Sequence, residues 1–209
     1  MTLPSRCGVA GALLLALAMP AGAAVQPATA PATAEARAPA GDPLDELLRE
    51  LARRRHAHAA FTEVQYLAML DRPLESSGEL LYEAPDRLEK RTLKPRAETL
   101  TLAHGVLSAT RRGRTRTVEL AAYPQLAPLI ESLRATLAGD RAALEQVFST
   151  HLEGDLAHWR LRLTPRNPDA ARVVKAVLIS GAHASLATVE ILQTDGDRSL
   201  LSIGPELSP

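Results

Sequence analysis

From Leu44 onward the chain moves between two hydrophobic periods, and the places where it switches predict its elements. Leu44, Leu47, Leu48 and Leu51 recur at i, i+3, i+4 and i+7, the apolar stripe of an amphipathic helix. Asp42-Pro43 ahead of them supplies an N-cap and a proline suited to a first helical turn. From Ala57 the period drops to two. Thr62, Val64, Tyr66, Ala68 and Leu70 share one face, and Asp71-Arg72-Pro73 supplies a turn. Short strands then follow closely. Leu80 and Tyr82 share a face before Pro85, Leu88 to Leu93 resumes after it, and Leu100 and Leu102 alternate before a turn at His104-Gly105. Val106 to Thr110 and Thr115 to Leu120 flank a turn at Arg112-Gly113. Intervals this short predict an antiparallel meander, because parallel strands need long crossovers.

The helical period then returns. Leu126, Leu129, Ile130, Leu133 and Leu137 form one stripe, Gly139-Asp140 ends that helix and caps the next, and Leu144, Val147, Phe148 and Leu152 continue it. After Gly154, Trp159, Leu161 and Leu163 alternate with His158, Arg160 and Arg162; Val173 to Ile179 ends at Gly181. Leu186 to Gln193 and Ser199 to Ile203 are joined across Asp195-Gly196-Asp197, a strong hairpin turn. The expected class is α+β, with three helices on one face of an antiparallel sheet. About ten twisted strands curl without closing into a half barrel. Within it, Ala84-Pro85-Asp86 reads as a bend where a strand meets the rim and resumes; the alternative is an edge strand broken by proline.

Composition places this domain outside the cytoplasm. Arg6, the apolar run Val9 to Met19 and Ala21-Gly22-Ala23 have the layout of a signal peptide over residues 1–23, cleaved after Ala23. The run is too short to span a bilayer core of about 30 Å. Residues 24–41 are rich in Ala, Pro and Thr and are expected to be a disordered tether, leaving residues 42–209 as the folded domain. The single cysteine, Cys7, leaves with the signal, so a periplasmic product would be held by its core alone. Basic and acidic residues balance at 24 each, which gives no reason to expect nucleic acid as a partner.

Catalytic chemistry finds no footing. His56 and His58 share a strand face, but no third ligand is identifiable for a metal, and no cofactor is expected. No G-x-S-x-G elbow is present, Ser180 and Ser185 lack a strand-turn-helix setting, and the carboxylates are dispersed. The chain reads as a non-enzyme. Arg111, Arg112, Arg114 and Arg116 make a basic hairpin tip: a solvated turn, or a docking point for anionic lipid or an acidic partner face.

Several motifs in sequence order carry a resemblance. They are Phe61-Thr62-Glu63-Val64-Gln65, Ser77-Gly78-Glu79-Leu80 leading to Ala84-Pro85-Asp86-Arg87-Leu88, the His104-Gly105 turn, a mid-chain helical insertion, and Trp159-Arg160-Leu161-Arg162-Leu163-Thr164-Pro165. Together, from Asp42 to Pro205, they resemble the LolA family of periplasmic lipoprotein carriers. The resemblance implies an unclosed β-barrel under a helical lid, with an apolar cavity for the acyl chains of a lipoprotein travelling from inner to outer membrane. It also implies an inner-membrane ABC exporter as donor, an outer-membrane acceptor, and a monomeric carrier. Leu80, Tyr82, Leu88 and Trp159 are then the candidate cavity residues, with Leu126, Leu129, Ile130 and Leu133 on the lid. Family carriers latch the lid with an arginine before the proline; Ala84 stands there, so Arg87 becomes the latch candidate. Where those carriers place a bulky aromatic three residues after the proline, this chain has Leu88. Other readings stay open: a carrier of a glycolipid or a lipid-linked pigment, or a lipid-sensing periplasmic regulator.

Overall fold

The computed structural model describes residues 42–119 and 139–207. Helix α1, Pro43–Ala52, starts as its sequence dictates: the Asp42 side chain accepts from Leu44 N, and Leu44, Leu47, Leu48 and Leu51 are all buried. Six strands follow: β1 His56–Tyr66, β2 Leu74–Glu83, β3 Arg87–Lys94, β4 Glu98–Ala103, β5 Val106–Arg111 and β6 Arg114–Glu119. After residue 139 come α2 Arg141–Val147, β7 Phe148–Asp155, β8 His158–Pro165, the short α3 Pro168–Ala171, β9 Val174–Ala182, β10 Ser185–Gln193 and β11 Arg198–Glu206.

The strands form one sheet in the order β6-β5-β4-β3-β2-β1-β11-β10-β9-β8-β7, and every pairing is antiparallel. Two meanders are therefore joined along the β1–β11 seam, and β6 and β7 remain as edges. The sheet is an unclosed half barrel with a helical lid, as expected, with eleven strands. Leucines of α1 and Leu144 of α2 enter the same core as the inner-face residues of the strands. Arg141 clamps the two helix starts together through Asp42, Asp45 and Glu145.

Three local expectations are corrected. At Ala84-Pro85-Asp86 the chain reverses instead of bending and continuing, because Glu83 pairs directly with Arg87 in an antiparallel hairpin. The turn sits at the end of the sheet, where Ala84 N donates to Arg55 O and Asp86 accepts from His104 N. In β1 the buried face is Ala59, Phe61 and Glu63, while Thr62 and Tyr66 are exposed and Ala68 and Leu70 lie beyond the strand. The second helix stops at Val147, since Phe148 takes extended backbone and pairs with Pro165, which puts Leu152 in a strand. Helix α3 was not foreseen, although Asn167-Pro168-Asp169 repeats the cap-proline-acid signature of α1. The stripe from Leu126 to Leu137 lies outside the described residues.

Candidate functional site

The strand registers assemble the inner face residue by residue. Across the first meander, Ala57, Tyr82, Leu88, Leu102, Leu107 and Val118 lie opposite one another in one row over six strands. The adjacent row holds Ala59, Leu80, Lys90, Leu100 and Ala109. Across the second meander, Leu152, Leu161, Ile179, Val189 and Leu201 form a third row, which ends on Glu63. This unclosed apolar wall is the candidate site. It brings Leu80, Tyr82, Leu88 and Trp159 onto one cluster, all buried, together with the leucines of α1. Burial pushes the Tyr82 phenol up. Leu126, Leu129, Ile130 and Leu133 lie outside the described residues.

One charged pair is set into the wall. Lys90 Nζ lies 2.6 Å from Glu63 Oε2, and their side chains are 5% and 1% exposed. Ser199 Oγ donates to Glu63 Oε1 at 2.7 Å, Ser76 Oγ donates to Oε2, and Lys90 Nζ stands 5.0 Å from the centre of the Phe61 ring. Burial pushes the Glu63 carboxyl up, but the Lys90 ammonium and hydrogen bonds from Lys90, Ser199 and Gln65 outweigh it and hold the carboxyl below its ordinary value near 4.5. A carboxylate with a depressed folded-state pKa contributes stability above its unfolded-state pKa and loses it as pH falls through the folded one. The urea midpoint is therefore expected to drop as pH is lowered from about 5 toward about 3. A Glu63→Gln variant should start lower and lack that part of the acid step.

At the other end of the wall stands Trp159. Its register neighbours are Gly154 on β7 and Gly181 on β9. A Cβ built on Gly181 would lie 2.5 Å from the indole Cζ2 and 2.0 Å from Ser185 O, so only glycine leaves room for the ring. The indole N–H donates to His183 O at 2.9 Å. A cleft of about 700 Å³ opens here, lined by Gly154, Trp159, Gly181, Leu186, Ile203 and Pro205 among others. Its size falls in the range of about 300–1,000 Å³ typical of small-ligand sites.

Among the described residues the partners of Arg87 are carboxylates of its own hairpin. It pairs with Glu89 at 2.9 Å and with Glu83 at 4.0 Å, both strand residues. The hairpin keeps the alternation intact, so Arg87 takes the parity of Glu89 and Arg91, opposite to that of Tyr82 and Leu88. His56 and His58 share this polar side; His58 lies 3.2 Å from Glu79. Among the described residues no group of three His, Cys, Asp or Glu is placed to hold a metal ion. Sequence reasoning passed over Leu100, Leu102 and Leu107 as site residues, although the alternation of Leu100 and Leu102 was visible. It also missed the Glu63–Lys90 pair, for which a single strand holds no signal.

The chain matches the model of the family described as outer membrane lipoprotein carrier protein LolA-like over residues 34–204. No curated protein matches it. Among solved structures, it is similar to a LolA superfamily protein from Nitrosomonas europaea, at 10% identity and a TM-score of 0.42 over 81% of this chain and 95% of that one. The Mycobacterium tuberculosis lipoprotein LppX gives 10% identity and a TM-score of 0.43 over 80% of this chain and 94% of that one. The MucA/MucB complex of Pseudomonas aeruginosa gives 15% and 0.43 over 78% of this chain, which spans 56% of the matched chain there. With the family model matched across nearly the whole described domain, the chain belongs to the LolA-like outer membrane lipoprotein carrier family.

Proposed function

We propose that this protein is a periplasmic carrier that shelters the acyl chains of a lipoprotein or lipid against its apolar inner face and passes them from the inner to the outer membrane. The observation that carries the reading is the unbroken apolar row from Ala57 to Val118 on a sheet whose edges β6 and β7 are unpaired with each other. Membership of a carrier family supports it. Each acyl methylene moved from water to such a wall is worth about 0.8 kcal/mol, so a long chain supplies ample driving force for capture and can still be surrendered to a better apolar acceptor. The reading assigns no catalytic step. It places a cleavable signal at residues 1–23, an inner-membrane ABC exporter upstream and an outer-membrane acceptor downstream.

Leu100 offers a test, because it is only half-buried and belongs to the inner-face row beside Lys90. Leu100→Glu should lower affinity for a fluorescent fatty acid by about tenfold or more, equivalent to about 1.4 kcal/mol. Far-UV circular dichroism confirms folding, and mass spectrometry of co-purifying lipids identifies the native cargo. A folded Leu100→Glu protein that binds the fatty acid as well as the parent would remove the inner face as the site.

A further inference from the structure

One end of the sheet combines exposed apolar side chains with exposed cations. The registers Gln65 with Leu74, Thr92 with Glu98 and Arg111 with Arg114 place the loops 67–73, 95–97 and 112–113 at this same end. Met69 is 72% exposed, Leu93 56%, Leu74 48% and Leu70 44%. Scattered exposed leucines need no explanation, but these four gather on neighbouring loops and strand ends. Beside them Arg72, Lys94, Arg96, Arg111, Arg112 and Arg114 are all exposed. None of these cations is in an ion pair among the described residues. The acidic residues of the same region are Asp71, Glu75 and Glu98, with Asp195 and Asp197 on the β10–β11 turn that braces loop 67–73.

We propose that this end of the sheet docks on a bilayer surface rich in anionic phospholipid. Apolar side chains that enter the headgroup boundary, flanked by guanidinium and ammonium groups that meet phosphates, are the composition of an interfacial anchor. Arginine forks pair with phosphate oxygens in two-pronged hydrogen bonds. Protection of a sheet edge accounts for Arg114 on β6, but Arg72, Lys94 and Arg96 border interior strands, where no edge needs charges. The loop 67–73 is also held in place: Ala68 N donates to Asp197 Oδ1 at 2.7 Å, and Arg198 stacks 4.3 Å from the Tyr66 ring centre. Met69 and Leu70 are thus presented from a braced loop. An acidic protein face would match the cations but leave Met69 and Leu93 without an apolar counterpart.

This inference does not rest on the cargo reading. The test is sedimentation of the protein, purified in soluble form, with vesicles of phosphatidylcholine alone or mixed with phosphatidylglycerol. Binding is expected only to the mixed vesicles, and it should be lost at high salt. Each cation removed should cost about fivefold in partitioning, so Arg96→Gln with Arg112→Gln should cost about 25-fold. Met69→Ser should weaken binding without changing its salt dependence. Equal sedimentation with both vesicle types, no binding to either, or a double variant that binds like the parent would overturn the proposal. Fatty-acid binding should be unchanged in every variant; its absence in the parent would sink the cargo reading alone.

Discussion

Replacing Lys90 by methionine is expected to lower the unfolding free energy by about 3–5 kcal/mol, seen as a reduced urea midpoint at unchanged slope. The change removes the ammonium 2.6 Å from a carboxylate whose side chain is 1% exposed. Methionine keeps most of the packing on Phe61, so the loss reports the stranded charge more than a cavity. Ser76 and Ser199 would still donate to Glu63, but hydroxyl dipoles do not neutralise a buried anion. Two controls isolate the cause. Adding Glu63→Leu to Lys90→Met should recover most of the stability, since a buried ion pair exchanged for apolar residues is often neutral. Lowering the pH should narrow the gap between parent and single variant as Glu63 takes up a proton. A single variant within about 1 kcal/mol of the parent would show that the carboxylate reaches water.

Trp159→Ala should cost about 3–5 kcal/mol. The indole is 3% exposed, and its N–H is bonded to His183 O. Its cross-strand neighbours are glycines, which have no side chains to collapse into the vacated space, so the loss should fall toward the upper part of that range. Trp159→Phe keeps a ring but not the donor, and should lose less. Because Trp159 is the single tryptophan, circular dichroism and not its fluorescence must follow unfolding. A loss of under about 1 kcal/mol would mean that the ring contributes little to the core.

Much of the architecture was legible because its signals are local. Asp42-Pro43 and the leucine stripe specify α1 without outside help. Turns at Arg112-Gly113 and Asp195-Gly196-Asp197 use glycines with positive φ, a backbone state that side chains disfavour, so they mark reversals in the sequence itself. The site was legible only in part. Leu80, Tyr82, Leu88 and Trp159 were cavity candidates through the family resemblance, whereas Leu102 and Leu107 join the row of Tyr82 and Leu88 only through strand pairings.

The errors share a cause. In β1 the alternation was read from Thr62, Val64 and Tyr66, while the buried face is the other phase, which carries Glu63. Glu63 is buried nonetheless, since Lys90, 27 positions away, and Ser199, 136 positions away, supply its counter-charge and a hydrogen bond. Phe148 continues a helical stripe by spacing, yet the ladder with β8 draws it into a strand. Among the described residues Arg87 pairs with Glu83 and Glu89, and the hairpin at Pro85 gives it the parity of Glu89.

By itself the sequence determined helix α1, most of the alternating strands, most of the turns and that the sheet is antiparallel. These depend on torsional preferences and periods that act within a few residues. Only the tertiary structure decided that β1 pairs with β11 to join two meanders, that β6 and β7 stay apart as edges, and that a charged pair can sit in an apolar wall. Those outcomes depend on energies shared between distant residues, where a buried charge is tolerated or forbidden according to what the other strands bring to it.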